Sequence, residues 1–341
     1  MTQGARILFL ADAGAKVGGG HVMRCLTLAQ ALMAAGAECA FVAGPAAWLV
    51  LDAFAQAPVE VFPLDEEPSA AELAAAGAGV ARRWSASGLV ADHYGFGPGD
   101  DAALSAACER LLIVDDLRRR HASGLVLDSN IGRKAADYPG CEVLAGPKFA
   151  LVRAAFTALR TQTLARRAAG GPPRRVLVSL GLTDAGAITG RVVRAVLPAL
   201  SEAHLDVVVG GAAPSRPELE ALARTDSRVA VHVDARDMAE LIAAADIAIG
   251  AGGSSAWERC CLGLPSLTVI VADNQRENTA ALAREGATLA IAPPSGDFDA
   301  RLRAGFSSLV SDAALRASMS AAAAALCDGL GADRVSTRLL A

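Results

Sequence analysis

Short runs of β-branched and leucine residues alternate with alanine-rich segments of helical periodicity along the whole 341-residue chain. This alternation is typical of parallel β-sheets covered by helices, and it predicts an α/β protein. The predicted strands of a first series are residues 7–11, 39–42, 59–62, 89–92, 111–115 and 125–128. Those of a second series are residues 176–179, 205–209, 229–233, 246–250, 266–271 and 287–291.

The two series indicate two domains, because a chain of this length exceeds one ordinary hydrophobic core. Charged residues, paired glycines and paired prolines predict an irregular linker at 161–175. We expect Rossmann-like, doubly wound domains at 1–160 and 176–325, and a C-terminal helix at 326–341 that could pack back on the first. If the domains face each other across a cleft, ligands bind at the carboxyl ends of their strands.

Composition excludes several classes of partner. Only 4% of the residues are aromatic, which argues against stacking platforms for single-stranded nucleic acid. The net charge is 32 minus 36, or -4, so the chain has no basic footprint for nucleic acid. No apolar run reaches the roughly 18 residues of a membrane span. We therefore expect a small-molecule ligand, no nucleic acid and no membrane insertion.

The cysteines and the N-terminus bear on the compartment. Seven cysteines, an odd number with no CxxC pair, indicate reduced thiols. The apolar run after Arg6 meets Asp12 too soon for a signal-peptide core. We expect a cytoplasmic protein, and the sequence does not predict its oligomeric state.

A glycine loop follows the first predicted strand and opens a helix. It runs from Asp12 through three glycines at 18–20 to His21 and Arg24. Gly19 and Gly20 would let the backbone approach an anionic ligand at the helix N-terminus. Lys16 precedes the glycines and no GK[ST] follows, so this is not a Walker loop. Arg24 could pair with the ligand or with Asp12, and an ordinary ion pair explains it as well.

His21 is the candidate base of this loop. A histidine in the first turn of a helix feels the positive helix end, which favours the neutral imidazole. A neutral imidazole can accept a proton. Its position alone leaves open a second role, in which a ring N–H holds a phosphate or caps the loop.

Two further strand ends carry polar side chains. The fourth predicted strand ends in Asp92, His93 and Tyr94. Because alternate strand residues point in opposite directions, either Asp92 and Tyr94 or His93 would face the site. The fifth predicted strand ends at Asp115 and Asp116, for which a helix N-cap is the simplest interpretation.

The second domain has a loop suited to a nucleotide. Gly252, Gly253, Ser254 and Ser255 lead into a helix, so that amide N–H groups and hydroxyls could hold a diphosphate. Glu258, one turn later, could accept hydrogen bonds from ribose hydroxyls.

The next predicted strand is followed by amides. Asn274 and Gln275 can both donate and accept, which suits sugar hydroxyl and acetamido groups. As single residues, Ser254 could be a plain helix cap and Asn274 a turn former.

Metal and cofactor motifs are not seen in the sequence. The five histidines lack HxxxH spacing, and no G-x-S-x-G elbow occurs. We expect neither a metal nor a cofactor.

The chain resembles, over nearly its full length, the UDP-sugar hydrolases of pseudaminic acid biosynthesis, which act on UDP-2,4-diacetamido-2,4,6-trideoxy-β-L-altropyranose. The matching segments are GGGHVMRC at 18–25, DHY at 92–94, DD at 115–116, GPKFALVR at 146–153, GSSAWERCCLGLPS at 253–266 and NQ at 274–275. The first and fifth are long enough to be specific.

The resemblance implies a GT-B-like fold, similar to the lipid-intermediate N-acetylglucosamine transferase of peptidoglycan synthesis. It implies that the C-terminal domain holds UDP, with the diphosphate at residues 252–255 and the ribose at Glu258. The sugar would face His21, Tyr94 and Asn274. Residues 181–184 read Gly-Leu-Thr-Asp where the family has a GG-S/T-D-like loop, so a diphosphate contact at Leu182 stays open.

The implied reaction is attack of water on the anomeric carbon with UDP as the leaving group. His21 would take the proton of the water, and Tyr94 and Asn274 would position water and sugar. The helix N-terminus at Ser254 and Ser255 would stabilise departing UDP. Two alternatives remain: a GT-B glycosyltransferase that uses an acceptor alcohol, and a non-catalytic UDP-sugar binder.

Overall fold

Two parallel β-sheets form the framework of the computed structural model, which describes residues 4–14, 17–55, 59–122 and 124–341. The strands are β1 (Arg6–Ala11), β2 (Glu38–Ala43), β3 (Glu60–Pro63), β4 (Gly88–Asp92), β5 (Arg110–Val114), β6 (Leu125–Asp128), β7 (Glu142–Ala145), β8 (Arg175–Ser179), β9 (His204–Val209), β10 (Val229–Val233), β11 (Ile247–Ala251), β12 (Ser266–Val269) and β13 (Leu289–Ile291).

Helices connect most of these strands. They are α1 (Gly20–Ala34), α2 (Pro45–Phe54), α3 (Ala70–Trp84), α4 (Pro98–Ser105), α5 (Ala154–Ala168), α6 (Ile188–Val196), α7 (Arg216–Thr225), α8 (Met238–Ala244), α9 (Ser255–Cys261), α10 (Arg276–Arg284), α11 (Phe298–Ser311), α12 (Ala313–Leu326) and α13 (Gly331–Leu340). Short 3-10 turns also occur, among them Asp273–Gln275.

Both sheets have the same strand order. Among the described residues, seven strands form one sheet in the order β3-β2-β1-β4-β5-β6-β7, and six form the other in the order β10-β9-β8-β11-β12-β13. The order reverses between β1 and β4 in the first sheet and between β8 and β11 in the second. These are the switch points of Rossmann-like folds, where the loops that leave two adjacent strands diverge and open a crevice. The predicted α/β class with two Rossmann-like domains is confirmed.

All the predicted strands are present to within two residues at each end, but β7 is missing from the prediction. This strand is short and lies at the edge of its sheet, and only Leu144 of its four residues is fully buried. A half-exposed edge strand has neither the long apolar run nor the clear alternation that identifies a strand in sequence.

The hydrophobic core of each unit lies on the faces of its sheet. In the first, Phe9 and Phe41 of neighbouring strands stack with ring centroids 4.8 Å apart, beneath α1. In the second, Val207 and Ile249 pack among Phe298 and Phe306 of α11. Residues of parallel strands are buried on both faces, which explains why the strands read as continuous apolar runs.

The chain divides into two units that differ from the expected domains. The first unit contains the residues up to Leu151 and Leu330–Ala341, and the second is Val152–Gly329. In the first unit α13 packs on α1, and Val335 and Leu339 are buried in its core. The second unit begins before α5, so this helix does not belong to a domain that ends at residue 160.

The expected irregular linker at 161–175 was wrong for its first half. The helix α5 runs to Ala168, and the paired glycines and prolines follow its end instead of interrupting it. Its arginines bind backbone carbonyl groups of the second unit. Arg160 donates to Ala324 and Cys327, and Arg167 donates to Ile242, Ala245 and Leu262 over 2.7–2.8 Å. The charges that suggested a solvated linker therefore dock the helix.

Replacing Arg167 with Met should destabilise the second unit by about 2 kcal/mol. Three carbonyl oxygens lose their hydrogen-bond donor in this variant, and burial keeps water from replacing it. Chemical denaturation measures this change. Arg82→Met, on the exposed last turn of α3, is the control and should cost less than about 0.5 kcal/mol. Equal stability of the two variants would show that Arg167 does not anchor α5.

Candidate functional site

The loop after β1 folds back on itself before α1 begins. Gly14 and Gly18 form an antiparallel bridge in which the Gly18 amide donates to the Gly14 carbonyl over 2.7 Å. Gly18 has φ +78°, a left-handed conformation that favours glycine. Gly19 is the N-cap of α1 and carries no side chain to cap it, so the first amides of the helix face the loop uncapped. Lys16 lies outside the described residues.

His21 is the second residue of α1 and is held by Asp92 at the end of β4. Its Nδ1 lies 2.8 Å from Oδ1 of Asp92 and 3.1 Å from the Asp92 carbonyl oxygen. Both of these oxygens are acceptors, because the carboxylate is ionised, so Nδ1 carries the ring proton. In the neutral ring, Nε2 then keeps its lone pair. Asp92 thus selects the tautomer of His21 in which Nε2 can act as a base.

Arg24 compensates the buried charge of Asp92. Its Nε and Nη2 donate to the two oxygens of Asp92 over 2.5 and 2.6 Å, and its Nη1 donates to Asp116 over 3.1 Å. Burial alone would raise the pKa of the fully buried Asp92, but the positive charge of Arg24 and the bond from His21 hold it well below its usual range. Arg24 does not pair with Asp12, which was one expectation from the sequence.

Tyr94 completes this cluster. Its hydroxyl donates to Oδ2 of Asp116 over 3.0 Å, and its ring meets the His21 ring edge to face at 4.4 Å. Arg119 donates to the backbone carbonyls of His93, Tyr94 and Phe96, which fixes the loop after β4. The structure therefore brings together three of the predicted site residues of the first unit, His21, Arg24 and Tyr94, around Asp92 and Asp116.

His93 and Asp12 lie apart from that cluster. Nε2 of His93 is 3.7 Å from Oδ1 of Asp12, and the His93 ring stacks on Phe96. Burial is the main cause that lowers the pKa of His93, which favours a neutral ring. Asp12 and His93 line a cavity of about 350 Å³ together with Gly14, Val17 and Glu67. Of the two sequence alternatives, Asp92 and Tyr94 therefore share one site, while His93 faces this cavity.

Asp115 does not cap a helix, as the sequence suggested, because a turn follows it. It accepts hydrogen bonds from the amides of Leu117 and Arg119 and from Nε2 of His121. Nδ1 of His121 pairs with Asp101 at 2.9 Å, and all three of these acidic and imidazole side chains are fully buried. Burial alone would raise the pKa of Asp115, but His121 and Arg119 hold it well below its usual range.

The nucleotide-type loop of the second unit runs from the end of β11 to the start of α9. Ser254 occupies the N-cap position but makes no cap hydrogen bond with its side chain. The amides of Gly253, Ser254 and Ser255 donate to no acceptor among the described residues. These N–H groups and the Ser254 hydroxyl are therefore available to an anion.

Gln275 supports this loop from the neighbouring strand end. Its Oε1 accepts from the amides of Gly252 and Val271, each over 3.1 Å. Two backbone donors therefore occupy this oxygen, and the sugar contact of Gln275 stays a prediction. The hydrogen bond to Gln275 also occupies the Gly252 amide, so this amide is not among the N–H groups available to a ligand. Asn274 lies in the same 3-10 turn, one residue before Gln275.

Glu258 is paired with an arginine that sequence reasoning did not assign to the site. Arg153 donates to Oε1 of Glu258 through Nε at 3.2 Å and Nη2 at 2.8 Å. Both side chains remain partly accessible, and Oε2 of Glu258 accepts neither of these bonds. Glu258 can therefore accept from a further donor while Arg153 holds it in place.

The loop after β8 is fixed by a buried carboxylate. Asp184 accepts from the amides of Thr189 in α6 and Ser215. A Cβ built on Gly210 would meet the Leu182 carbonyl oxygen at 2.3 Å, so this loop packs closely on the end of β9. A diphosphate contact of Leu182 stays a prediction.

The part of the chain that the structure describes shows neither a metal-ligand cluster nor a membrane-spanning helix. No cluster of three or more His, Cys, Asp or Glu side chains there has an arrangement that could hold a metal ion. No helix in these ranges combines the length and the apolar character needed to cross a bilayer.

The chain matches one family model and several known proteins. The family model "Glycosyltransferase family 28 C-terminal domain" matches residues 191–332. The chain is 28% identical to the spore coat polysaccharide biosynthesis protein SpsG of Bacillus subtilis over 196 residues, which are 57% of this chain and 57% of that protein. It is 23% identical to the UDP-2,4-diacetamido-2,4,6-trideoxy-β-L-altropyranose hydrolase of Campylobacter jejuni over 287 residues, 82% of this chain and 97% of that protein.

Solved structures show the same fold. MurG of Acinetobacter baumannii superimposes with a TM-score of 0.68 at 19% identity, covering 98% of this chain and 99% of that one. The chain forms two Rossmann-like sheets one after the other, and it superimposes on MurG over nearly its whole length. The chain therefore has the GT-B fold. The fold expected from the family resemblance is confirmed.

Three functional candidates were missed in the sequence, namely the roles of Asp92, Asp116 and Arg153. A signal existed for the first two, because Asp92 ends β4 at the switch point of the first sheet and Asp116 follows the adjacent strand β5. Which of several strand-end acids meets His21 depends on side-chain directions that strand spacing does not determine. For Arg153 the signal was only its place at the end of the GPKFALVR segment.

The buried His121 should make stability depend on pH. Burial alone would lower its pKa, but hydrogen bonds and charges of Asp101 and Asp115 raise it to about 9. The pKa of His121 is thus higher in the folded protein than the value of about 6.5 in the unfolded chain. The stabilisation that results is complete at pH values below about 6.5 and is lost as the pH rises through about 9. Between pH 6 and 9.5 the free energy of unfolding of the wild type should therefore fall by about 2–3 kcal/mol more than that of His121→Gln.

Denaturation curves at several pH values check this prediction. His204→Gln, at an exposed position that begins β9, is the matched control and should follow the wild-type pH dependence. If the free energies of unfolding of wild type and His121→Gln depend on pH in the same way, the charged His121 ring does not bridge Asp101 and Asp115.

Proposed function

We propose that this protein is a hydrolase of a UDP-sugar of the 2,4-diacetamido-2,4,6-trideoxy-β-L-altropyranose type, which releases the free sugar and UDP. The observation that carries the proposal is the hydrogen bond from Nδ1 of His21 to Asp92, which leaves Nε2 as a base. The Campylobacter jejuni relative, whose name states this activity, supports the substrate class.

In the proposed reaction a water oxygen bonds to the anomeric carbon of the sugar. The bond from that carbon to the diphosphate oxygen breaks, and its electron pair stays with UDP. Nε2 of His21 takes the proton of the attacking water, and Asp92 stabilises the imidazolium that forms. Arg24 keeps Asp92 ionised throughout, so the proton remains on the histidine.

UDP would bind to the loop between β11 and α9. The amides of Gly253, Ser254 and Ser255 and the Ser254 hydroxyl would contact the diphosphate oxygens. Glu258, oriented by Arg153, would accept from ribose hydroxyls. The match of the family 28 C-terminal domain across this region supports a nucleotide-sugar ligand here.

In this proposal the sugar would face His21, Tyr94 and Asn274. Tyr94 and Asn274 would position the sugar and the water, and Asp12, Gly19 and Gly20 would lie near the sugar. Two contacts already orient Tyr94 for such a role. Asp116 accepts a hydrogen bond from its hydroxyl, and the His21 ring packs against its ring.

A glycosyltransferase that uses a UDP-N-acetyl sugar is the second candidate. The match to a glycosyltransferase family model favours it. In that reaction Nε2 of His21 would take the proton of an acceptor alcohol instead of water. The two candidates share the same base and the same leaving group and differ in the nucleophile.

His21→Asn should lower the rate of UDP release by at least about 100-fold, because the general base is lost. Asp92→Asn should have a similar effect, since an amide that donates to Nδ1 reverses the tautomer and places the proton on Nε2. Coupled measurement of released UDP gives the rate, and calorimetry should show UDP binding within about threefold of wild type. His204→Asn is the control. Turnover of His21→Asn near the wild-type rate would remove His21 as the base.

Incubation without any acceptor distinguishes the two candidates. With the UDP-diacetamido sugar in H2(18)O, a hydrolase should release UDP and free sugar in equal amounts, and the label should enter the sugar and not UDP. Proton NMR and mass spectrometry measure both products. UDP release that occurs only after an acceptor alcohol is added would favour the glycosyltransferase.

A further inference from the structure

Arg259 is a buried cation directly behind the loop that connects β11 to α9. Only 4% of its surface is exposed. Its Nη2 donates to the Ala251 carbonyl over 2.8 Å and to Oγ1 of Thr268 over 3.3 Å, and its Nη1 donates to Oγ of Ser255 over 3.3 Å. Two of these three partners flank the loop, Ala251 as the last residue of β11 and Ser255 as the first residue of α9.

All of these partners are neutral. No carboxylate lies within ion-pair distance of Arg259 in the described ranges, and the adjacent Glu258 is paired with Arg153 instead. The Thr268 hydroxyl donates a hydrogen bond to Thr288, and the Thr288 hydroxyl donates to the Ser266 carbonyl. This chain of hydrogen bonds therefore also ends on a neutral group. Burial lowers the pKa of Arg259 to about 10, which leaves it charged at neutral pH. Glu258 offsets this effect only in part. A buried charge without a direct ion pair is costly unless an anion approaches it.

Arg259 also sets the direction of the Ser255 hydroxyl. A guanidinium can only donate, so its bond to Oγ occupies a lone pair of Ser255 and leaves the hydroxyl proton for another acceptor. Ser255 then presents a donor. Such a donor beside the unused amides of Gly253 and Ser254 is suited to an anionic oxygen and not to a sugar donor group.

The chain makes room for the guanidinium at this place. A Cβ built on Gly250 would lie 2.4 Å from Nη1 of Arg259, so a larger residue there would displace it. Gly252 similarly leaves room for the hydroxyl of Thr279, which would lie 2.3 Å from a Cβ built on that glycine. Thr279 is fully buried, and its hydroxyl has no hydrogen-bond partner among the residues that the structure describes. An unsatisfied hydroxyl and a cation without a direct ion pair thus lie together on the buried side of one loop.

We propose that Arg259 is a positioning residue that prepares the loop of residues 250–255 for the diphosphate of a nucleotide, and so makes the site prefer UDP over uridine. The proposal rests on the proposed function, which places UDP at this loop. The guanidinium holds the Ala251 carbonyl, turns the Ser255 hydroxyl into a donor and supplies the positive charge behind both.

Binding of uridine and of UDP to Arg259 variants tests this role. Arg259→Met should weaken UDP binding by about 10- to 100-fold and leave uridine binding unchanged, because only the diphosphate carries the charge that Arg259 meets. Arg259→Lys keeps the charge and should bind UDP within about fivefold of wild type. Calorimetry gives both affinities, and thermal unfolding shows whether each variant is folded.

A merely structural role would give a different pattern. Arg167→Met removes another buried arginine from the same unit and should leave the ratio of UDP to uridine affinity at the wild-type value. Equal loss of both ligands in Arg259→Met, or unchanged UDP affinity, overturns the proposal. If Arg259→Met does not fold, Arg259→Lys and Ser255→Ala carry the test: a loss of UDP affinity beyond about tenfold in Arg259→Lys, or none in Ser255→Ala, overturns it.

The same data separate this proposal from the proposed function. A protein that binds UDP in an Arg259-dependent manner but releases none from a UDP-sugar retains the inference and loses the hydrolase. A wild-type protein that binds no UDP overturns both.

Discussion

The buried carboxylate of Asp92 is the interaction on which the first candidate site depends. It is fully buried at the end of a central strand, where an isolated charge would be very unfavourable. Arg24 offsets that cost with two short hydrogen bonds, and a further contact is made to Nδ1 of His21. One carboxylate therefore joins the strand end to two successive turns of α1, and its ionisation decides the tautomer of the histidine.

The location of this interaction follows from the topology of the sheet. The strand order reverses between β1 and β4, so the loops that leave these strands separate and expose the start of α1. Asp92 is paired in register with Ala11, and the Asp12 amide donates to the Asp92 carbonyl. The second sheet repeats the same order, and its switch point between β8 and β11 carries the loop into α9. The candidate site of each unit therefore lies where a Rossmann-like sheet opens.

The sequence predicts the strands well because parallel strands are buried on both faces and their apolar runs are distinct. It fails for β7, which lies at an edge, and for α5, whose arginines look like solvated charge but bind buried carbonyl groups. At the site it identifies His21 and the loop at 252–255 from their positions at helix starts. It does not predict that Asp92 faces His21 or that Arg153 binds Glu258, because such pairs join residues distant in the chain through side-chain directions.

The glycines of the loop after β11 show the same limit most clearly. A glycine-rich segment at a helix start suggests close approach of the backbone to a ligand, and this was the basis for choosing it from the sequence. The structure gives a second cause. Gly250 is required by Arg259 and Gly252 by Thr279, both on the buried side, while a Cβ on Gly253 would meet only Nε2 of Gln275, at 3.7 Å. The glycine signal therefore reflects in part the charged and polar groups packed behind the loop.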